Sequence, residues 1–424
     1  MYKKFILNNG IKVIAKEIPH VRSVSIGVWV NTGSTSETLN NNGISHFIEH
    51  MLFKGTFKRI AKEIASDMDS IGGQLNAFTS KECTCYYSKV LDSHIDIAID
   101  ILSDMLLNSK FDENDISKEK SVICEEISMY EDSPEDLVYD SLSKTIFNKH
   151  SLGFPILGTQ DTIETLNRNN LLGYMKNNYN SENIVIAIAG SFEESRLVEQ
   201  LNSKFGQFNF DSVPKRPIEK PVFHSNYTFK NKDIEQVHLC LGFEGIPNDG
   251  DSLYSLFILN NILGGSMSSR LFQKIREEHG LAYSIYTHPS MYKDFGLFTT
   301  YVSLNPSQLK NVVELITDET NNVIKNYVTL EELKRSKEQL KGNYILGLES
   351  TSSIMTMLGK SEIYDKKIRT MEEVLKKIDC VDMTDVQDII KKIFNRDKVS
   401  LSMVGKLDKM EAKHSFEYIK SNLV

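Results

Sequence analysis

Cysteine is scarce in this sequence. The 424 residues include five cysteines, an odd number, and no two of them form a C-x-x-C pair. Such usage indicates buried thiols in a reducing compartment and argues against a disulfide framework. Cys83 and Cys85 alternate along an apparent strand, so we expect them to serve in packing.

Long apolar runs and clustered positive charge are also missing. No stretch of about eighteen or more apolar residues occurs, so no transmembrane helix is predicted. Residues 1–10 resemble neither a secretory signal nor an Arg-rich transit peptide, and we expect a cytoplasmic protein. The net charge is −8 and no basic stripe appears, which argues against nucleic acid as a partner.

What the sequence does contain is an internal repeat. With 40% apolar and 25% charged residues, the chain has the composition of a soluble protein, and its length indicates two or more domains. The strand-like run 237–243 mirrors 24–30, and the run 399–405 mirrors 184–190. Both pairs are offset by roughly half the chain, which is typical of a duplicated domain.

The order of the predicted elements is that of an α+β protein. Asn9-Gly10 between two short apolar runs predicts a hairpin, and antiparallel strands are followed by groups of helices. The prolines between 207 and 225 predict a linker. The predicted domains are therefore 1–206, which includes a helix over 135–147, and 226–424.

The segment 44–53 carries the strongest pattern in the chain. Its apolar residues recur at helical spacing, which predicts a helix with one face in a core. His46 and His50 stand one turn apart, close enough for both imidazoles to bind one metal ion. Glu49 lies beside them, within reach of a metal-bound water. The residues read H-x-x-E-H, the inverse of the common zinc-protease helix.

A solvated helix face with three polar residues is the alternative interpretation of this motif. A third ligand favours the metal site, because catalytic zinc takes three protein ligands and a water. The helix predicted over 112–129 offers Glu119 and Glu126, which are seven residues apart and share a face. By spacing alone, Glu125 is nearly as good a ligand as Glu126. The repeat places 253–261 opposite the motif without a His or Glu pair, so one metal site per chain is expected.

Several stretches form a set that extends over nearly the whole chain. They are H-F-I-E-H-M-L-F-K-G-T (46–56), L-N-A-F-T-S-K-E-C-T-C-Y-Y (75–87), the E-x-x-x-x-x-x-E pair (119–126), P-I-L-G-T (155–159) and G-G-S-M-S-S-R-L-F-Q-K-I-R-E-E-H-G-L-A-Y (264–283). This set resembles the pitrilysin family of inverted-motif zinc peptidases, within it the branch of the mitochondrial processing peptidase and its bacterial relatives. The resemblance implies two homologous α/β-sandwich-like domains with antiparallel-rich sheets covered by helices. The first domain would bind zinc, and the second would lack a metal site and contribute substrate-binding residues.

Carried over residue by residue, the resemblance implies a complete metal site. His46 and His50 would be zinc ligands, and Glu126 would be the distal carboxylate ligand. Glu49 would act as general base, and Glu119 would support the site without binding the metal. The resemblance, through the spacing from Glu119, is what selects Glu126 from two adjacent glutamates.

Substrate-binding residues follow from the same resemblance. Asn76, Ala77 and Phe78 match the family's edge strand, to which an extended peptide adds by β-augmentation; an inner strand is the alternative. Arg276 and Tyr283, seven apart across a predicted helix end, match the family's Arg/Tyr pair. They would hold the scissile carbonyl and stabilise its developing charge, whereas a salt-bridged surface residue is the alternative for Arg276.

Two further positions bear on substrate. Gly264-Gly265 matches a glycine-rich loop that is mobile near the substrate in the family, and a plain helix C-cap is the alternative. Phe154 departs from the family pattern, because many relatives carry a polar or charged residue there. That departure concerns substrate preference and not the metal chemistry.

These observations predict a zinc endopeptidase, with one Zn²⁺ per chain, that cleaves peptides or unfolded, extended protein segments. The resemblance implies a homodimer that encloses a chamber. One alternative is a subunit that needs a different partner chain. Another is a non-catalytic binding or assembly homologue, although such subunits typically lose part of the H-x-x-E-H set, which is complete here. Binding of a different divalent metal in vitro is a further alternative.

Overall fold

The computed structural model describes residues 2–206, 219–248, 250, 252–364 and 367–424. Most of the predicted linker 207–225 lies outside the described residues. The described residues form two compact units. Unit 1 draws on 1–128, 154–218 and 347–368, and unit 2 draws on 129–153, 219–346 and 369–424.

Each unit is built on one mixed sheet. The strands of the first sheet are β1 (Tyr2–Ile6), β2 (Lys12–Glu17), β3 (Ser23–Val30), β4 (Gln74–Thr79), β5 (Thr84–Leu91) and β6 (Ile184–Gly190). Those of the second sheet are β7 (Tyr227–Asn231), β8 (Val237–Glu244), β9 (Ala282–Met291), β10 (Gly296–Leu304) and β11 (Val399–Gly405).

The helices follow the strands in groups along the chain. Up to residue 206 they are α1 (Ile44–Leu52), α2 (Ala61–Ser70), α3 (Ile95–Asn108), α4 (Glu113–Asp132), α5 (Pro134–Phe147), α6 (Gln160–Thr165), α7 (Arg168–Asn178) and α8 (Glu194–Phe205). After residue 219 they are α9 (Ser252–Leu263), α10 (Leu309–Asn326), α11 (Leu330–Gly347), α12 (Thr351–Tyr364), α13 (Met371–Cys380), α14 (Met383–Ile393) and α15 (Lys409–Asn422). None of the described helices is long and apolar enough to cross a membrane.

The two sheets repeat one topology. The first has the strand order β1-β2-β6-β3-β5-β4, and the second has the order β7-β11-β8-β10-β9. In each sheet one neighbouring pair is parallel, β2 with β6 and β7 with β11, while the remaining pairs are antiparallel. The predicted duplication and the α+β class with two homologous domains are confirmed.

The central strands are buried along nearly their whole length because both faces of each sheet are covered. β6 (Ile184–Gly190) is buried at every residue, as expected for a strand between two layers. On one face, α1, α3, α7 and α8 pack into the larger core of unit 1. On the other face, Ile354, Met355 and Leu358 of α12 pack against Trp29 and Ala187.

Each half of the chain supplies the helix that covers the second face of the other half's sheet. α12 comes from the second half and packs on the sheet of unit 1, whereas α5, from the first half, packs through Leu142 and Ile146 on the sheet of unit 2. The compact units therefore differ from the predicted contiguous division into 1–206 and 226–424. Helical periodicity shows that a segment has an apolar face, but it does not show which sheet that face covers.

Glycines in the central strands make room for the exchanged helices. A Cβ atom at Gly27 of β3 would overlap the thioether of Met355, and one at Gly242 of β8 would lie 2.9 Å from Leu142 Cδ2. The two glycines lie in the repeated runs 24–30 and 237–243, but at different places within them. Each therefore sets the close approach of a helix to its sheet.

The cysteines are free thiols. Cys83, Cys85 and Cys240 are buried, and the first two pack in the cluster beneath α12. Cys83 lies immediately before β5 rather than within it. Cys380, at the end of α13, is exposed, so the expectation of buried thiols holds for only part of the set.

A methyl group at Gly359 is expected to loosen the contact of α12 with its sheet. The added Cβ atom would overlap the fully buried indole of Trp29, so Gly359→Ala should destabilise unit 1 by about 1–3 kcal/mol, as overpacking does. Gly173 of α7, in the same unit, has open space around it. Gly173→Ala should instead stabilise by up to about 1 kcal/mol, because alanine favours helix.

Urea unfolding followed by tryptophan fluorescence measures both changes, since Trp29 is the single tryptophan and belongs to unit 1. Equal midpoints for Gly359→Ala and Gly173→Ala would contradict the packing assigned to α12.

Candidate metal centre

The helix that carries the motif is held at its start by a buried carboxylate. Gly43, just before α1, has φ +92°, a conformation that favours glycine. The Glu37 carboxylate accepts the backbone N–H groups of Gly43 (2.8 Å) and Ser45 (2.9 Å) and the side-chain amide of Asn42 (2.9 Å). Burial raises the pKa of Glu37, and these hydrogen bonds oppose that rise. A carboxylate in this place also complements the helix dipole.

The P-I-L-G-T segment closes over the same helix start. The Asn42 amide donates to Pro155 O at 2.9 Å. A Cβ atom on Gly43 would lie 2.7 Å from Leu157 O, and one on Gly158 would lie 2.6 Å from Asn42 O. Side chains at either glycine would push the two segments apart, so this motif has a structural role in placing α1.

Three predicted ligands converge between α1 and α4. The Nε2 atoms of His46 and His50 lie 3.7 Å and 3.5 Å from Glu126 Oε2. One ligand atom from each of the three residues lies within 4.8 Å of the others. Glu125, the alternative by spacing, is exposed and is not part of this group. The geometry thus brings together the predicted set and leaves out the neighbouring glutamate.

The donor set fits zinc. Two imidazole nitrogens and one carboxylate oxygen form the ligand set of catalytic zinc sites, which keep a fourth position for water. Metal–ligand distances of about 2.0–2.1 Å place two tetrahedral ligands roughly 3.3–3.5 Å apart. The separations of 3.5 Å and 3.7 Å from Glu126 Oε2 are close to that spacing, so small movements suffice for binding.

The protonation of His46 suits a metal, whereas His50 has to give up a proton to bind one. Burial, and then the positive charge of His50, lower the pKa of His46 to about 4, so its imidazole is neutral and able to act as a ligand near neutral pH. Burial lowers the pKa of His50, but hydrogen bonds to Glu126 and Glu119 outweigh it and the net shift is upward. The hydrogen bond with His50 lowers the pKa of Glu126 against the effect of burial.

Glu119 holds one imidazole from the side opposite the metal group. Its Oε2 atom lies 3.1 Å from His50 Nδ1, and its Oε1 atom lies 2.6 Å from Lys54 Nζ. The carboxylate is buried, with its side chain 5% exposed. The corresponding Nδ1 atom of His46 is buried and has no hydrogen-bond partner among the described residues.

Glu49 lies half-buried beside the ligands and contacts the next strand. The Thr79 hydroxyl, at the end of β4, donates a hydrogen bond to Glu49 Oε2. Burial raises the pKa of Glu49, while the hydrogen bond from Thr79 and the charge of His50 lower it. Thr79 follows the predicted substrate strand directly, and its contact with Glu49 is absent from any local sequence pattern.

Asn76, Ala77 and Phe78 lie on an edge strand. Among the described residues β4 pairs with β5 alone and stands last in the order of the first sheet, as an edge strand does. The Asn76 side chain is exposed and its Oδ1 accepts the Ala77 N–H at 2.8 Å. Phe78 packs edge-on against Trp29, with ring centroids 5.5 Å apart.

Arg276 and Tyr283 are brought together within unit 2. Arg276 lies in a π-helical turn (Phe272–Glu278), and its guanidinium carbon is 4.8 Å from the Phe272 ring centroid and 4.9 Å from that of Tyr283. Tyr283, on β9, is 74% exposed. The distance from Arg276 Nε to Glu277 Oε1 is 3.7 Å, which is long for an ion pair. The two ring contacts therefore hold the guanidinium more firmly than this ion pair does. Both side chains line an open cavity of about 410 Å³ with Gln236, Ser303 and Asn305.

The two remaining positions are structural in this chain. Gly264 and Gly265 close α9, because their N–H groups donate to Asn260 O at 3.0 Å and 2.7 Å, as in the helix C-cap alternative. Phe154 is buried, with 7% exposure. Its side chain therefore serves in packing, whatever its effect on substrate preference.

Comparison with protein families matches both halves of the chain. The model described as Insulinase (Peptidase family M16) matches residues 12–160, and the model described as Peptidase M16 inactive domain matches residues 165–340. The second description agrees with the lack of a His/Glu pair in α9.

Relatives match over almost their whole length. The uncharacterized zinc protease YmxG of Bacillus subtilis is 46% identical over 397 residues, which cover 94% of this chain and 97% of that protein. An uncharacterized zinc protease of Streptomyces coelicolor is 37% identical over 416 residues, with coverage of 96% and 90%. Zinc is accordingly the cofactor of this chain.

Solved structures share the fold. A peptidase M16 inactive domain from Pseudomonas fluorescens has a TM-score of 0.90 at 20% identity and covers 96% of this chain and 98% of its own. A protease from Helicobacter pylori has a TM-score of 0.87 at 20% identity, with coverage of 96% and 99%. With family models matched in both halves and a relative 46% identical over 94% of this chain, the chain belongs to peptidase family M16, as its resemblance to the pitrilysin family predicts.

Proposed function

We propose that this chain is a zinc endopeptidase that cleaves peptides or unfolded, extended protein segments, with His46, His50 and Glu126 as its zinc ligands. The observation that carries the proposal is the convergence of these three residues within 4.8 Å of one another, with Glu49 on the same helix. When bound, zinc in such a site lowers the pKa of a water and polarises a carbonyl.

Glu49 is the proposed general base. Its carboxylate takes a proton from the attacking water and gives it to the amine of the leaving peptide. The Thr79 hydroxyl occupies Oε2, so Oε1 is the atom assigned to proton transfer. Glu49 is half-buried, so fewer waters reach its carboxylate than would reach an exposed one.

Substrate binding is proposed to use the edge of the first sheet. β4 has no strand on its outer side among the described residues, and an added peptide strand would gain main-chain hydrogen bonds beside Asn76, Ala77 and Phe78. Such binding depends on few side chains of the peptide, which supports a range of extended peptides as substrates. Folded proteins present few free strands and would be cleaved slowly.

Arg276 and Tyr283 are proposed to stabilise the carbonyl oxygen of the scissile bond. A guanidinium held over two rings keeps its N–H groups available to an anion, and the exposed Tyr283 hydroxyl adds a donor. The proposal includes a homodimer that encloses the site, as the family resemblance implies. A dependent subunit that needs another chain is the second candidate, because a complete H-x-x-E-H set is equally compatible with it.

Cleavage of a quenched fluorescent peptide library by the purified chain tests the proposal, with solution mass measured on the same sample. We expect cleavage that stops on chelation, returns with added zinc and is faster for unfolded than for native protein substrates. A zinc-loaded chain that cuts nothing would refute independent activity and point to the dependent subunit. A monomeric mass with full activity would refute the dimer alone.

Thr79→Val should lower kcat by about tenfold, the effect of losing a hydrogen bond to a charged group worth roughly 1.5 kcal/mol. Zinc content should stay at the wild-type level, because Thr79 contacts Glu49 and none of the ligands. Thr79→Ser keeps the hydroxyl and serves as the matched control. Steady-state kinetics and zinc analysis of each variant measure both quantities. An equal loss of kcat in Thr79→Ser would show that packing, and not the hydroxyl, is responsible.

A further inference from the structure

We infer that Lys54 is a positioning residue of the metal centre, which fixes the zinc-binding orientation of His50 through Glu119. The inference rests on the proposed zinc ligands and adds a residue to which neither the motif nor the family match assigns a role.

The first step is the placement of Lys54 on α1. The helix ends at Leu52, yet the chain stays wound for another turn, because Phe53 N donates to His50 O and Lys54 N donates to Met51 O, both at 3.1 Å. Lys54 therefore follows His50 by one turn on the same side. From there its Nζ atom reaches Glu119 Oε1 at 2.6 Å.

The second step is that the two oxygens of the Glu119 carboxylate contact different residues. One oxygen is bound by Lys54 at 2.6 Å, and the other faces His50 Nδ1 at 3.1 Å. With both oxygens engaged, the carboxylate cannot rotate away from the imidazole. Since Nδ1 donates to Glu119, Nε2 is the nitrogen left to the metal, and it is the atom that lies 3.5 Å from Glu126 Oε2.

The third step is the contrast between the two histidines. Among the described residues no group binds the buried Nδ1 atom of His46, so no hydrogen bond orients that ring from the side opposite the metal group. His50 is the histidine whose ring is fixed by a carboxylate, and the chain from Lys54 to Glu119 to His50 is therefore the polar support of this ligand set. Groups of this kind commonly change metal affinity by about 10–100-fold when removed.

Lys54 differs from a surface ion pair in the burial of its partner. Exposed pairs contribute little, but the side chain of Glu119 is only 5% exposed and that of Lys54 is 35% exposed. Removing the ammonium would leave a buried carboxylate oxygen without its cation, and the carboxylate would turn towards other donors. Lys58, four residues on, offers a comparison: its partner Asp104 is also buried, but Lys58 is 61% exposed, stands 3.9 Å away, and leaves Asp104 bound by Arg59 at 3.0 Å when removed.

The test measures zinc affinity of the full chain by competition with a chromogenic chelator, a readout that does not depend on activity. Lys54→Met should raise the zinc Kd about tenfold, whereas Lys58→Met, which removes the same charge nearby, should leave it unchanged. In a Glu119→Gln background Lys54→Met should have no further effect, because no carboxylate is left to position. If Lys54→Met does not fold, Lys54→Gln provides the same comparison.

Two results would overturn the inference: a wild-type zinc Kd in Lys54→Met, or the same loss from Lys54→Met in the Glu119→Gln background as in the wild-type background. The second result is what a merely structural lysine would give. Failure of the proposed function would look different, since the wild-type chain would then hold no zinc, or would hold it independently of Glu126.

Discussion

Glu49→Gln should leave zinc in place and reduce peptide cleavage by about 10²–10⁴-fold, the usual contribution of a general base. The amide has nearly the shape of the carboxylate but cannot take a proton from water. Zinc content should not change, because Glu49 is not among the three convergent ligands. The measurement is kcat/KM on a quenched peptide, with zinc content determined on the same sample.

Two controls make this result specific. Glu63→Gln changes a glutamate in the first turn of α2, in the same unit but outside the metal group, and should keep wild-type kcat/KM. His46→Ala should lose both zinc and cleavage. If Glu49→Gln cleaved at the wild-type rate with zinc bound, another group would be the base, and the role assigned to Glu49 would have to be abandoned.

Glu126→Ala should remove the metal, whereas Glu125→Ala should not. Glu126 Oε2 lies 3.5 Å and 3.7 Å from the two imidazole nitrogens, so its loss leaves two ligands where catalytic zinc takes three. Zinc should fall from about one per chain to a trace after dialysis, and cleavage should fall with it. Glu125 is exposed on the same helix, and its removal should change neither quantity.

The pair of variants also separates ligand loss from damage to α4. Both substitutions replace a glutamate by alanine one residue apart, so they alter helix propensity and net charge equally. A loss of zinc in both variants would point to the helix, and a loss in Glu125→Ala alone would reverse the ligand assignment. Metal analysis after dialysis and the far-ultraviolet spectrum of each variant distinguish these outcomes.

Features set by neighbouring residues could be predicted from the sequence. The helix predicted over 44–53 is observed as Ile44–Leu52, because its apolar spacing depends on one turn at a time. The end of α2 is local in the same sense, since Gly72 beyond it has φ +62°, the left-handed conformation that commonly follows a helix. The duplication is predicted from the apolar patterns of single strands, which are also set by neighbouring residues.

Contacts between distant segments could not be predicted in this way. The choice of Glu126 over Glu125 depended on a family resemblance, since both lie within one turn of the same helix. The Glu37 carboxylate lies in a segment that the sequence marks only as a loop, and its hydrogen bonds to Gly43 and Ser45 depend on how that loop folds back. Lys54 and Glu119 are 65 residues apart, and no periodicity relates them.

The exchange of α5 and α12 has a consequence for the chain during its synthesis and for shortened forms of it. A ribosome has made every strand of the first sheet by Gly190, but the helix that covers its second face ends at Tyr364. Until then the nascent chain carries a bare apolar face that includes Trp29 and Ala187, the kind of surface that chaperones protect. A gene shortened to its metal-binding half would encode all six strands but leave one face of their sheet without its covering helix. Unit 1 therefore depends on the second half of the chain for part of its core.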